Sequence, residues 1–396
     1  MKKVTVFLIV AALLFVGMFA IGTIVENSSD RYAVTANQSA VKDRLDGEGD
    51  LYPVYVSFDE QYRDYYVKLC AGFESCSEVI FLDEFDSKEE METVEEWLDE
   101  NYRNIVYEQP DCFWIDPNSY IIEERQSGRE YTLSAKPNYT LDKSEVAEKK
   151  EIYDAVVRDI TDEAKRKDNV FDSVLYVYDT ILSKTDYDHD LADAKDSSLN
   201  GYSAYGCLVD GKTVCSGYTL AFTSIMQKLG IVCGAEFDSM SDSEFFSGHV
   251  WNYCKLDGEY YYFDLTWDDT SFDSDELRKH LDYTHDYFAI TSEELRETNL
   301  TVKENTTSPE STADKYNYYT YKNMYCEKYS FNDVRRIIKN QPQDDFAVIK
   351  FGSATERVKA EKDLFENQRL YEILTDVYSV KYIASVSGLH LYIFYE

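Results

Sequence analysis

Three residues in one stretch of the chain have the types that acyl transfer at an amide requires: Cys215 in GKTVCSGYTLAF, His249 in SGHVWN and Asp264 in YYYFDLTWDD. A thiol is a weak nucleophile until it is deprotonated. An imidazole can take that proton and later return it to the leaving amine, and a carboxylate can fix the imidazole tautomer and stabilise its charged form. Each residue also has a plainer reading when taken singly. A cysteine before an amphipathic helix can be an inert core thiol, and a histidine beside Val250 and Trp251 can be a core histidine. Asp264 is the sharpest of the three, because a carboxylate inside an aromatic strand is costly unless it is partnered.

The elements around these residues are the ones such chemistry needs. Tyr218, Leu220, Ala221, Phe222, Ile225, Met226 and Leu229 recur at helical spacing and Gly230 follows as a stop, so Cys215 falls at the start of a helix. That position favours a thiolate. VWNYCKL and EYYYFDLTW read as two strands joined by Asp257-Gly258, the pair that suits a type I′ turn. If Leu256 faces Glu259, then Trp251 faces Asp264 and His249 faces Thr266, which puts His249 and Asp264 diagonally on one face. Gly217 and Gly248 allow close approach beside the thiol and the imidazole. Trp251, Trp267 and Tyr205 are candidates to line the cleft, and the backbone N–H of Cys215 is the candidate oxyanion donor. Asp268 and Asp269, directly after Trp267, read as solvated loop carboxylates rather than a cation site. His189 has no second histidine at ligand spacing and reads as structural or cleft-lining.

Further out, the sequence is polar and aperiodic over residues 26–49, a tether. Strand-like LYPVYVSF and SEVIFLDEF follow, then a helix over SKEEMETVEEWLDENYRNI with Met91, Val94, Trp97 and Leu98 inward, then short strands CFWI, YIIEE and EYTLSA. These make an N-terminal α/β domain over 50–141. Helices are expected over Lys143–Arg166 and Phe171–Leu182, leading into the core at 142–303. ENTTSPESTADK at 304–315 reads as a linker. The segment 316–396 reads as a small C-terminal α/β domain: strand NYYTYK, helix FNDVRRIIKN, strand FAVIKFG, a helix from Thr355 to Tyr378 and terminal strands ending in HLYIFY.

Composition narrows the classes. A net charge of -35 over 396 residues leaves no basic stripe for nucleic acid. It would repel acidic substrates while admitting neutral or cationic ones. With 35 Tyr and 21 Phe the chain has ample apolar surface for a core. The eight cysteines are too few for a disulfide scaffold at this length, and Cys70 with Cys76 is the best candidate for a pair. Lys2 and Lys3 precede an uncharged run from Val4 to Val25, expected to be a transmembrane anchor or a cleaved signal peptide (residues 1–25). Either would place the bulk of the chain outside the cytoplasm, secreted or membrane-anchored, with the membrane as a partner of the N-terminal helix.

VCSGYTLAFTSIMQKLGI followed by GHVWNYCKLDGEYYYFDLTWDD resembles the core of the transglutaminase-like superfamily in its exported bacterial form, with YGCLVDG upstream and DYFAIT downstream. The resemblance covers roughly Asp168 to Thr291. It implies an α+β fold, a papain-like core with N-terminal helices and an antiparallel sheet, flanked here by two smaller α/β domains. It also implies Cys215 as nucleophile, His249 as base and Asp264 as the orienting acid, with no metal or other cofactor. The expected partner is a peptide or protein substrate, with cell-wall and cell-surface proteins among the candidates. Water or a primary amine would accept the acyl group, since the triad does not choose between hydrolysis and transamidation. The alternative of another class is a membrane-tethered binding or scaffold protein that uses the fold without turnover.

Overall fold

The computed structural model of the protein describes residues 37–194, 196, 200–238, 248–273, 276–297, 309–342, 345–375, 377–385 and 387–396. The chain divides into two compact units, Met1–Val146 and Ala147–Glu396.

The first unit opens with a helix over 37–47, within the stretch expected to be a tether, and it buries Val41 and Leu45 one turn apart. LYPVYVSF is a short helix α1 (Pro53–Ser57) rather than a strand. Pro53 occupies the first helical position, where its missing N–H costs nothing. The next two N–H groups, of Val54 and Tyr55, donate to the Glu108 carboxylate at 2.7 and 3.0 Å. Burial pushes Glu108 up to about 7 in spite of these bonds and that from the Tyr66 hydroxyl. Helices α2 (Glu60–Ser75) and α3 (Lys88–Glu108) accompany an antiparallel sheet of order β1 (Ile80–Phe85), β3 (Glu130–Tyr139), β2 (Ile115–Ser127). Ser87 caps α3 by accepting from Glu90 N, and Met91, Val94, Trp97 and Leu98 are all buried, as their spacing predicts. CFWI is turn up to Trp114, and β2 starts only at Ile115. Cys70 and Cys76, the best candidates for a pair, both carry free thiols.

The second unit begins within α4 (Lys143–Ala164), continues through α5 (Val170–Leu182), and is built on a central helix α6 (Cys215–Lys228). The sequence pattern predicts a helix with one apolar face, but Ser216 to Met226 are all buried. Fully burying residues such as Leu220, Phe222, Ile225 and Met226 contributes about 1.5–3 kcal/mol each. Two short parallel strands, β4 (Asp186–Tyr187) and β5 (Lys212–Thr213), lead into α6. Gly230, at φ +73°, closes it: Ile231 N reaches back to Met226 O at 2.9 Å. An antiparallel sheet of order β6 (Cys233–Phe237), β7 (Val250–Leu256), β8 (Glu259–Phe263) and β9 (Phe288–Ile290) packs against α6. Asn252 of β7 ties the two together, donating to Thr223 Oγ1 at 2.9 Å and Thr219 O at 3.2 Å.

Within the same unit a second four-stranded sheet has the order β10 (Tyr325–Cys326), β11 (Phe346–Phe351), β13 (His390–Tyr395), β12 (Val380–Ala384). Helices α8 (Phe331–Asn340) and α9 (Ala354–Glu361) flank β11 in sequence. NYYTYK is helical at Tyr318–Tyr321 instead of extended, because the Asn317 side chain accepts from Thr320 N. The helix expected to reach Tyr378 ends at Glu361 and continues as a π-turn and a 3-10 turn, with Gln368 at φ +61° between them. Both units are thus mixed α+β, with helices preceding the antiparallel sheet of the second.

The membrane expectation does not stand. Among the described residues no helix is long and apolar enough to cross a membrane. The run Val4–Val25, taken as anchor or signal, lies outside the described residues, as do the tether up to residue 36 and the linker residues 304–308. The transmembrane helix, the membrane as a partner and membrane anchoring as a localisation are therefore withdrawn.

Candidate active site

Cys215 is the first residue of α6, with Val214 before it in extended backbone. Two contacts hold this turn down. Ser216 Oγ donates to Tyr202 O at 3.0 Å, and Thr213 Oγ1 donates to Gly201 O at 2.6 Å. Gly217 is required by this packing rather than by an open cleft, since a Cβ there would lie 1.7 Å from Thr213 Oγ1 and 2.8 Å from Ser203 O. The thiol is half-buried.

His249 directly precedes β7, after the half-buried Gly248, and its carbonyl accepts from Asp238 N at 2.9 Å. The Asp257-Gly258 turn has both residues at positive φ, 51° and 91°, and pairs Leu256 with Glu259 as the two-residue hairpin predicts. The ladder stops at Asn252 and Phe263, one pair short of Trp251 opposite Asp264. Asp264 leaves the strand and caps a short helix α7 (Leu265–Asp268), its Oδ1 accepting from Trp267 N at 3.2 Å. LTW is therefore helical, not a continuation of the strand. The predicted contact survives this change: His249 Nε2 and Asp264 Oδ2 are 2.5 Å apart. With Nε2 engaged, Nδ1 is the ring atom left for the thiol, and Cys215 is a hydrogen-bonding and coulombic partner of the ring. Burial by itself would lower the His249 pKa. Asp264, by charge and hydrogen bond, and then Cys215 outweigh it and raise the ring to about 10.

Aromatic side chains enclose the imidazole. Trp251, 1% exposed, stacks at 5.6 Å and 26°, and Trp267 lies at 6.0 Å and 60°. Both indole N–H groups are buried without a hydrogen-bond partner among the described residues. Tyr205 is buried, with Lys149 Nζ 4.6 Å over its ring. His189 Nε2 lies 2.9 Å from Ser271 O, and its ring is 5.0 Å from that of Tyr187. Among the described residues no group of three or more His, Cys, Asp or Glu could hold a metal ion.

Asp268 and Asp269 depart most from expectation. They are not solvated: exposures are 0% and 3%. Asp268 accepts from the Tyr178 hydroxyl at 2.5 Å, Thr284 Oγ1 at 2.6 Å, Asp286 N at 2.7 Å and Tyr287 N at 3.1 Å. Burial, then Asp286, pushes it above the usual carboxylate range against these donors. Asp269 accepts from the Tyr218 hydroxyl at 2.5 Å and Ser271 N at 2.7 Å. Buried carboxylates are kept by the donors around them, and here those donors come from α5, α6 and the segment before β9.

Two residues near Asp264 and Cys215 escaped the sequence reading. Tyr178, periodic within α5, passes for plain core, yet its hydroxyl also donates to the Asp264 carbonyl at 3.1 Å. Tyr187 lies beside Thr213 across β4 and β5, its ring 4.7 Å from Phe272. Burial, and next the charge of Cys215, pushes its hydroxyl up, so it stands within electrostatic reach of the thiol. Its signal was the aromatic in TDYDHD, close ahead of the cysteine.

Residues 154–265, which contain Cys215, His249 and Asp264, match the transglutaminase-like superfamily. This part of the chain carries a transglutaminase-like, papain-like fold. Among solved structures, a protein from Cytophaga hutchinsonii proposed to be a cysteine protease is similar at 15% identity, over 37% of this chain and 64% of that one, with a TM-score of 0.24. The chain thus spans less than two thirds of that protein's length. No curated protein matches the sequence.

Proposed function

We propose that the protein is a thiol acyl-transfer enzyme acting on peptide or protein amides, with Cys215 as nucleophile, His249 as general acid and base, and Asp264 as the group that orients His249. The observation that carries this is the 2.5 Å contact between His249 Nε2 and Asp264 Oδ2 beside a half-buried thiol at a helix start. Sulfur attacks the amide carbonyl, forming a C–S bond. The C–N bond then breaks as His249 gives its proton to the departing amine, leaving a thioester. Water, or a primary amine, next loses a proton to His249 and attacks the thioester. This releases an acid or a new amide and returns the thiolate–imidazolium pair. The backbone N–H of Cys215 is the oxyanion donor at hand. Trp251 and Trp267 shield the ring from water, which strengthens its pairing with Asp264.

The test is alkylation of Cys215 as pH varies between about 5 and 9, on wild type and on His249→Ala. A neutral-pH rate limb in wild type that vanishes in the variant is expected. Equal profiles would sink the pairing of the two residues. A glutamine peptide offered with a labelled primary amine then separates hydrolysis from transamidation, and binding without turnover would point to the scaffold alternative. With turnover, His249→Ala is expected to slow it by about a hundred- to ten-thousandfold.

A further inference from the structure

The superfamily match stops at residue 265, but the buried polar groups that hold Asp264 continue well beyond it. Asp264 and Asp268 are the two ends of one turn: Asp264 caps α7, Asp268 closes it, and Asp268 N donates to Asp264 O at 3.3 Å. The Tyr178 hydroxyl spans both, reaching Asp268 Oδ2 and the Asp264 carbonyl. Asp268 Oδ1 is held by Thr284 and by the backbone N–H of Asp286. The Asp286 side chain turns the other way. Its Oδ1 accepts from the hydroxyls of Tyr392 at 2.5 Å and Tyr319 at 2.7 Å, and its Oδ2 lies 3.1 Å from His390 Nδ1. His390 and Tyr392 are two apart on β13 and so share a face. This strand is hydrogen-bonded on both sides, to β11 and β12. Ser385 and Ser387 hydroxyls lie at 3.2 and 3.3 Å from His390 Nδ1, and Glu294, paired with Lys350, is within charge reach of the same ring.

Burying two carboxylates beside each other is an expensive way merely to fill a core, and apolar residues do that at less cost. What the expense secures here is one geometry for the turn that carries Asp264. We propose that β13 is a positioning part of the active site: His390 and Tyr392 hold Asp286, Asp286 with Tyr178 holds Asp268, and Asp268 sets the turn from which Asp264 orients His249. Tyr178, Asp268, Asp286, His390 and Tyr392 act through Asp264 rather than on the reacting atoms. The proposal rests on the triad reading given above.

The test uses the full chain and Tyr392→Phe, which removes one hydroxyl and keeps the ring. Tyr395→Phe, on the same strand but away from Asp286, is the control. In Tyr392→Phe the neutral-pH alkylation of Cys215 is expected to fall by about two- to thirtyfold and its pH profile to move toward that of His249→Ala. Tyr395→Phe should keep the wild-type profile at a similar unfolding midpoint. If Tyr392→Phe keeps the wild-type profile while His249→Ala loses its limb, the positioning role is overturned and the triad stands. Equal profiles in wild type and His249→Ala overturn the triad and this proposal with it. Equal losses in the two tyrosine variants reduce the effect to stability and overturn the proposal alone. Should Tyr392→Phe fail to fold, Tyr319→Phe removes the other hydroxyl from the same oxygen, and an unchanged profile there has the same force.

Discussion

At neutral pH His249 is held as an imidazolium. Burial opposes that charge, but Asp264 and then Cys215 outweigh it and carry the ring to about 10 from an ordinary 6.5. A ring nitrogen titration by NMR should therefore find His249 charged to about pH 10, and Asp264→Asn should bring the midpoint down toward the ordinary value. A midpoint unmoved by that substitution would show that Asp264 does not hold the charge. The sign for stability follows: a raised pKa in the folded state favours folding, fully below about pH 6.5, and this contribution fades as pH climbs through about 10. The identities of these three residues were legible because their types and order are unusual together. The burial of Asp268 and Asp269 was not, since an acidic pair after a tryptophan looks like any solvated turn. The donors that make their burial tolerable, Tyr178 and Tyr218, lie 90 and 51 residues away in the chain. Even so, DYFAIT was visible, and its first residue is Asp286.

At the scale of elements, the start of α6 is fitted closely to the strand before it. Gly217→Ala would push a methyl against Thr213 Oγ1 and the Ser203 carbonyl, the latter being backbone that cannot swing aside. A loss of about 1–3 kcal/mol of stability is expected, read as a lower denaturant midpoint with unchanged slope. An unchanged midpoint would mean that the turn yields freely. The hairpin register was readable from Asp257-Gly258 because only such residues accept the left-handed backbone of that turn. Where β8 ends was not readable. YYYFDLTW is aromatic and strand-like throughout, but Asp264 satisfies the N–H of Trp267 and starts a helix. The same competition between local pattern and cap made a helix of Pro53–Ser57, where the distant Glu108 carboxylate supplies the partner.

For the whole molecule, a net charge of -35 would set how the substrates of the proposed enzyme arrive. With turnover established, kcat/KM for lysine-rich peptides or for a cationic amine acceptor should fall as salt rises, while that for acidic peptides should increase. Salt independence for both would remove long-range attraction from the account. The chain by itself determined the α+β character, the thiol, imidazole and carboxylate in their order, and the hairpin that joins the last two. These follow from residue types, periodicity and a two-residue turn, all local in sequence. Tertiary structure alone decided that Asp264 is a helix cap, that Asp268 and Asp269 are buried, and that a line of hydrogen bonds runs from Asp264 through Asp286 to the final strand. A carboxylate's fate depends on which donors the fold brings within about 3 Å of it, and here the last of them, Tyr392, stands 106 residues further along the chain than Asp286.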